Sequence, residues 1–212
     1  MDERDWYWLT RMKKASKALE RNGIRAHISA NREEALKRAL SLIKKGSTVG
    51  LGGSRTAAEI GLLDELRSGK YNLFDQYSGK HNKAERLELR KQGAHAACFV
   101  CGSNAVTEDG KLVNIDGVGN RLAAMCYGPD RVIIVAGRNK IVSDVEAAID
   151  RVKNVAAPMN ARRLGQDTPC ARTGKCADCS SPDRICSLML IIDKQKFKNR
   201  MHVILINEEL GF

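Results

Sequence analysis

Apolar residues recur at three- and four-residue steps near the start of the chain: Trp8, Leu9, Met12, Ala15 and Leu19. That spacing lines one face of a helix, which Asn22-Gly23 ends. Arg11, Lys13, Lys14, Lys17 and Arg21 take the other positions and read as a solvated face. Residues 24–28 then read as a short strand. Asn31 caps a second helix whose apolar positions are Ala35, Leu36, Ala39, Leu40 and Ile43. Residues 47–51 form a strand that runs into Gly52-Gly53-Ser54, and a helix follows through Ala57, Ala58, Ile60 and Leu62.

The alternation continues. Strands are expected at residues 71–74, 95–100, 111–115, 131–136, 188–192 and 203–206, with that at 95–100 buried on both faces. Helices are expected at residues 83–92 and 121–126, and a long one is marked by Val145, Ile149 and Val152. Strands that alternate with helices predict an α/β fold with a mostly parallel open sheet. No internal repeat or low-complexity tract breaks the pattern, and the 212 residues read as a single domain. The one shift in composition lies at residues 158–186, a cysteine-bearing loop inserted within the domain.

No apolar run approaches the roughly 18 residues of a membrane span, and the charged N-terminus lacks the apolar core of a secretory signal. A cytoplasmic protein with no membrane partner is expected. The net charge of +11 favours anionic partners. Nucleic acid is the weakest of these, because no recognition motif accompanies the charge. The aromatic cluster Trp6, Tyr7 and Trp8 fits packing or a homo-oligomer contact better than base stacking.

Three stretches carry candidate chemistry. In the first, Gly52, Gly53, Ser54, Arg55 and Thr56 join a strand to a helix. Glycines let a ligand approach the backbone, and helix-start N–H groups, hydroxyls and a cation suit an anion. The alternative is a plain turn with Ser54 as N-cap. Arg55 stands where a dinucleotide fingerprint needs its last glycine, so no nicotinamide cofactor is expected, although Asp75 lies where a ribose-binding acid would be.

The second stretch concentrates Asn104, Glu108, Asn114, Asp116, Gly117, Gly119, Asn120 and Arg121, with Asn139 and Lys140 expected at the same sheet edge. Such a group can hold polar oxygens, with Arg55, Arg121 and Lys140 as carboxylate or phosphate clamps. Glu108 or Asp116 would be the candidate acid or base. Two ordinary turns are the alternative.

The third stretch is Cys170, Cys176, Cys179 and Cys186, spaced Cys-x5-Cys-x2-Cys-x6-Cys. Four thiolates can close around zinc or hold an iron–sulfur cluster, and spacing does not separate the two. Four unrelated thiols or a redox dithiol are the alternatives. Cys98, Cys101 and Cys126 read as buried small apolar side chains. The four histidines show no ligand spacing and are assigned no role.

Four motifs, in this order, resemble the LUD domain family, the lactate-utilization family: Val-Gly-Leu-Gly-Gly-Ser-Arg-Thr from residue 49, Gly-Val-Gly-Asn-Arg-Leu-Ala-Ala-Met from 117, Val-Ile-Ile-Val-Ala-Gly-Arg-Asn-Lys-Ile-Val from 132, and Ala-Ala-Pro-Met-Asn-Ala-Arg-Arg-Leu from 156. The resemblance spans about residues 5–210, and the cysteine loop is similar to that of short, single-domain members. It implies a Rossmann-like three-layer sheet related to the ribose-phosphate isomerase and CoA-transferase folds. It also implies a link to lactate oxidation alongside iron–sulfur oxidoreductase proteins. By resemblance, Gly52, Gly53, Ser54 and Thr56 inherit a phosphate- or CoA-binding role, and the loop of Glu108 loosely matches one that bears catalytic carboxylates. The leading expectation is a protein that binds a small anionic metabolite: a hydroxy- or ketoacid, or a phosphorylated or CoA-like compound. The alternative is a non-catalytic metal-bearing subunit or regulator that docks to an iron–sulfur partner.

Overall fold

The fold comes from a computed structural model that describes residues 2–212. In chain order the elements are α1 (Glu3–Arg21), β1 (Arg25–Ser29), α2 (Arg32–Ser41), β2 (Thr48–Leu51), α3 (Arg55–Glu59), α4 (Leu62–Leu66), β3 (Asn72–Phe74), α5 (Lys83–Ala94), β4 (Cys98–Gly102), β5 (Ala105–Thr107) and β6 (Leu112–Asp116). They continue with α6 (Asn120–Cys126), β7 (Arg131–Gly137), β8 (Ile141–Val142), α7 (Val145–Arg151), α8 (Ala157–Arg163), α9 (Pro169–Thr173), β9 (Leu188–Ile192) and β10 (Met201–Ile206).

A six-stranded sheet runs in the order β1-β10-β7-β4-β2-β3, and all its pairings are parallel. Its central strands are buried on both faces. The two-residue side-chain period therefore splits each strand between two cores. Val132, Ile134 and Ala136 of β7 pack with Met12 and Leu19 of α1. Ile133 and Val135 pack on the other face with Ala35 and Ala39 of α2 and Leu62 and Leu66 of α4. Cys101 and Cys98 divide in the same way, one into each core. The result is a three-layer α/β fold, as the alternation of elements predicts.

Not every strand joins that sheet. A second sheet, β8-β5-β6-β9, is mixed, with antiparallel β5–β6 and β6–β9 pairs. It packs Val106, Leu112, Ile141 and Ile192 into the core on the α1 side. The expectation of one sheet is thus corrected: β6 and β9 build a smaller one. Strands β5 and β8, three and two residues long, are too short to show any alternation in sequence. Gly61, at φ 77°, splits the expected helix after Ser54 into α3 and α4. The helix from Val145 runs through a wider π turn at Val152–Ala156 into α8. Residues 158–186 are therefore partly helical, with α8 and α9 before the irregular stretch. No helix among the described residues is long and apolar enough to cross a membrane.

Candidate functional site

Parallel strands share one carboxyl end, and ligands of open α/β sheets bind there. A cavity of about 640 Å³ opens at that edge. The loop after β2 supplies Gly53, Ser54 and Arg55, and the loop after β4 supplies Ser103 and Asn104. Asp116, Gly117, Asn120 and Arg121 arrive from β6 and α6, and Lys140 from the turn after β7. These four separated segments thus converge on one space.

The glycine loop also serves packing and capping. A Cβ on Gly50 would lie 2.2 Å from the Gly93 carbonyl oxygen, and one on Gly52 would lie 2.8 Å from Cys101 Cβ. These glycines let α5 and β4 pack closely against β2. Ser54 Oγ accepts a hydrogen bond from Ala57 N at 3.0 Å and so caps α3. Thr56 is fully buried, and its hydroxyl donates to the Leu210 carbonyl at 3.1 Å. Gly53, Ser54 and Arg55 face the cavity; Gly52 and Thr56 lie behind it.

Buried polar groups fix the opposite wall. Arg121, 9% exposed, closes on Asp116: its Nη2 donates to Asp116 Oδ1 and its backbone N–H to Asp116 Oδ2 at 3.2 Å. The same Nη2 reaches the Ile115 carbonyl at 3.0 Å and Asn104 Oδ1 at 3.3 Å. Both Asp116 oxygens are engaged, so this carboxylate orients the guanidinium. Arg151, also buried, donates to the carbonyls of Asn139 at 2.9 Å and Asn104 at 2.7 Å. Lys140 Nζ donates to Thr56 Oγ1 at 2.8 Å. Burial, with Arg151 and Arg121 close by, drives the Lys140 amine down to about 7. Much of its charge is therefore gone near neutral pH, which weakens it as a cationic clamp.

Cations that the sequence pattern does not single out complete the site. Arg86 and Arg90 project from α5 and Arg163 from α8. Arg86 and Arg90 lie in a charged helix and Arg163 in the fourth motif, and the packing of α5 and α8 around the sheet edge brings all three to the cavity. Against these and Arg55, Arg121, Lys140 and Arg184, the cavity wall carries the carboxylates of Asp116 and Asp183. The Nε atoms of Arg90 and Arg121 are buried without a hydrogen-bond partner among the described residues. Each is a donor that water or protein would ordinarily satisfy.

Several expected site residues lie elsewhere. Glu108 does not line the cavity. Arg11 Nε at 2.5 Å and Lys14 Nζ at 2.7 Å hold it against α1. Burial would raise its carboxyl, but those two hydrogen bonds outweigh burial and hold it below the usual range. Asn114 stands behind the wall, where its Oδ1 accepts from Asn104 N at 3.0 Å and its Nδ2 donates to Ser103 Oγ at 3.1 Å. Gly119, at φ 81°, starts α6 without lining the cavity. Asp75 accepts from Arg67 Nε at 2.8 Å and is likewise outside.

The cysteine loop forms another wall of the same cavity through residues 182–187. Arg184 organises it. Its guanidinium donates to the carbonyls of Cys179 at 2.5 Å and Cys186 at 3.1 Å, and to Asp178 Oδ1 at 2.9 Å. Burial pushes the Cys186 thiol up, Arg184 opposes this, and the nearby Cys176, Cys170 and Cys179 raise it further. No group of three or more His, Cys, Asp or Glu side chains among the described residues is arranged to hold a metal ion. Cys98 and Cys101 are buried, and burial drives both thiols up to about 12. Cys126 is exposed, a correction to its reading as a core residue: α6 ends there and turns it outward.

With this geometry in hand, comparisons with known proteins bear on the chain. A family model described as the LUD domain matches residues 12–206. No curated protein sequence matches. A crystal structure of a DUF162 family protein from Deinococcus radiodurans aligns with a TM-score of 0.52 at 14% identity, covering 94% of this chain and 98% of that one. That likeness concerns the fold. The eIF2B delta subunit of Chaetomium thermophilum aligns over 50% of this chain and 46% of its own, at 20% identity and a TM-score of 0.33.

Proposed function

Because the chain belongs to the LUD domain family, the family associated with lactate utilization, we propose that its cavity binds a small anionic metabolite of that or a related redox pathway. A hydroxy- or ketoacid, or a phosphorylated or CoA-like relative, fits the reading. The observation that carries it is the excess of positive charge on one cavity: the guanidiniums of Arg55, Arg86, Arg90, Arg121, Arg163 and Arg184 line it against the carboxylates of Asp116 and Asp183. A carboxylate or phosphate would balance that charge through charge-assisted hydrogen bonds.

The test is ligand stabilisation. Phosphate, lactate, pyruvate, a sugar phosphate and coenzyme A are added singly to the protein during thermal unfolding. A ligand at 100 times its dissociation constant stabilises by about 2.7 kcal/mol, a clear rise in melting temperature. Arg90→Ala should shrink that rise while the apo transition stays put. A transition that none of these anions moves would overturn the reading.

A second proposal concerns the cysteine loop. Cys170, Cys176, Cys179 and Cys186 would supply four soft ligands to zinc or an iron–sulfur cluster. Its support is the sequence spacing of the four cysteines, Cys-x5-Cys-x2-Cys-x6-Cys, while their side chains among the described residues are not gathered around one ion. Metal analysis and the absorption spectrum of anaerobically purified protein test it. Sub-stoichiometric metal in protein kept free of oxygen would count against it. Docking to an iron–sulfur oxidoreductase through the basic surface belongs to the same proposal.

A further inference from the structure

We propose that the Lys140 amine is a nucleophile that forms an imine with a small 2-oxo acid held in the cavity. The proposal rests on the anion-site reading above and adds a reaction to it.

Lys140 is only 4% exposed, yet it lines the cavity. The Thr56 hydroxyl spends its proton on the Leu210 carbonyl, so it must accept from Lys140. That contact fixes the amine through one N–H. No ion pair engages Nζ among the described residues. Glu59, the acid whose charge reaches it, accepts from Arg55 Nε at 2.9 Å and from Gly211 N at 2.7 Å. Asp116 is closed on Arg121. The flanking guanidiniums of Arg121 and Arg151 are anchored by carbonyls and, for Arg121, by Asp116. An ammonium there would stand buried beside two fixed positive charges, and the acid that favours it, Glu59, is already engaged. The amine is therefore available unprotonated near neutral pH, as imine-forming lysines require.

A 2-oxo acid joins a carboxylate directly to a carbonyl carbon. The cavity offers the matching pair: a cation, Arg121, and an amine, Lys140, on the same wall. The Nζ lone pair forms a bond to the carbonyl carbon while the C=O π pair moves onto oxygen. One proton passes from nitrogen to that oxygen, and a second comes from solvent. Water leaves, and the nitrogen lone pair closes the C=N bond of a protonated imine. The step consumes one proton, releases one water and needs no oxidant or reductant.

The experiment traps the imine. The intact protein is incubated with pyruvate and sodium cyanoborohydride, and adducts are located by peptide mass mapping. Lactate, which has no carbonyl, is the control. Because an exposed lysine is almost wholly protonated at neutral pH, the Lys140 carboxyethyl adduct should exceed that of exposed lysines by at least about tenfold. Lys140→Met should bring total pyruvate incorporation down to the level of the exposed lysines. Mapping on the wild-type chain decides the matter even if that variant fails to fold. Pyruvate that raises the melting temperature without a dominant Lys140 adduct would overturn the imine and leave the anion site standing. If no anion moves the transition and no adduct forms at Lys140, both fall.

Discussion

His27 on β1 and His202 on β10 lie side by side, with His27 Nε2 3.1 Å from His202 Nδ1. His202 Nε2 stands 3.0 Å from the Asn199 carbonyl, which only accepts. His202 therefore carries its proton on Nε2, its Nδ1 is the acceptor, and His27 donates. Protonation of both rings would leave two donors facing each other and break this bond. The sequence places these residues 175 positions apart, so their pairing depends on the parallel contact of the first and last strands.

That pair predicts acid sensitivity. Burial lowers both imidazoles; Arg38 and Arg25 add to it at His27 against Glu20, and His27, Arg131 and Arg25 at His202 against the Asn199 bond. Folded values below the unfolded one mean that the unfolded chain binds more protons in this window. Stability should be full above the ordinary histidine value and fall as pH drops below about 6.5 toward the folded values. Melting temperature measured across that window should decline, and His202→Gln should flatten the decline. An unchanged slope in that variant would assign the acid sensitivity elsewhere.

Gly50 and Gly93 give a contrast within one contact. A Cβ on Gly50 would sit 2.2 Å from the Gly93 carbonyl oxygen, and backbone has little room to move. A Cβ on Gly93 would sit 3.3 Å from Gly50 Cα, tight but adjustable. Gly50→Ala should destabilise by about 1–3 kcal/mol or more through overpacking. Gly93→Ala should cost much less, because a helical Gly→Ala change returns up to about 1 kcal/mol. Urea unfolding of the two variants checks the order; equal losses would refute it.

The two acidic candidates should also part company. Glu108 ties α1 to the hairpin of β5 and β6 through Arg11 and Lys14. Glu108→Ala should cost at most about 1 kcal/mol, with anion-induced stabilisation intact. Asp116→Ala leaves the Arg121 guanidinium buried and unpaired, for which about 3–5 kcal/mol is expected. The double change Asp116→Ala with Arg121→Met should be milder than Asp116→Ala alone. A double variant at least as unstable as the single one would mean that the pair's charge is not what matters.

How far the sequence could be read depended on the range of each signal. Helix caps are local: Asn31 caps α2 as its position in the pattern predicts. The strong apolar runs of β4, β7 and β10 are local too, and their parallel alignment brings the Ser54, Asn104 and Lys140 loops together. Arg86, Arg90 and Arg163 could not be found this way, because a helix charge facing a cavity and one facing solvent look alike in sequence. The packing role of the glycines was hidden for a related reason. Gly50 and Gly52 are required by neighbours distant in sequence, Gly93 and Cys101, and sequence spacing alone suggests a ligand instead.

The cysteine loop supplies the last prediction. Between Pro169 and Asp183 there is no Leu, Ile, Val, Phe, Met, Trp or Tyr. Such a segment buries too little apolar surface to offset its ordering entropy. Arg184 supplies part of what fixes it, through Cys179, Cys186 and Asp178, and Ser181 adds a bond of 2.8 Å to the Asp167 carbonyl. These bonds are exposed or only part-buried, and each contributes about 1 kcal/mol net. Ligation of one zinc ion or cluster by Cys170, Cys176, Cys179 and Cys186 would contribute far more locally. Replacing Cys176 and Cys179 with Ser should therefore abolish bound metal and open the loop to protease, while the sheet core, which contains neither residue, keeps its unfolding transition. Because residues 182–187 line the cavity, the same variant should also weaken anion-induced stabilisation. Limited proteolysis with metal analysis reads the first effect and thermal shift the second. Full metal retention in the double variant would sink the assignment. So would metal-free protein whose loop resists protease as well as the loaded form does, since Arg184 and its partners would then suffice.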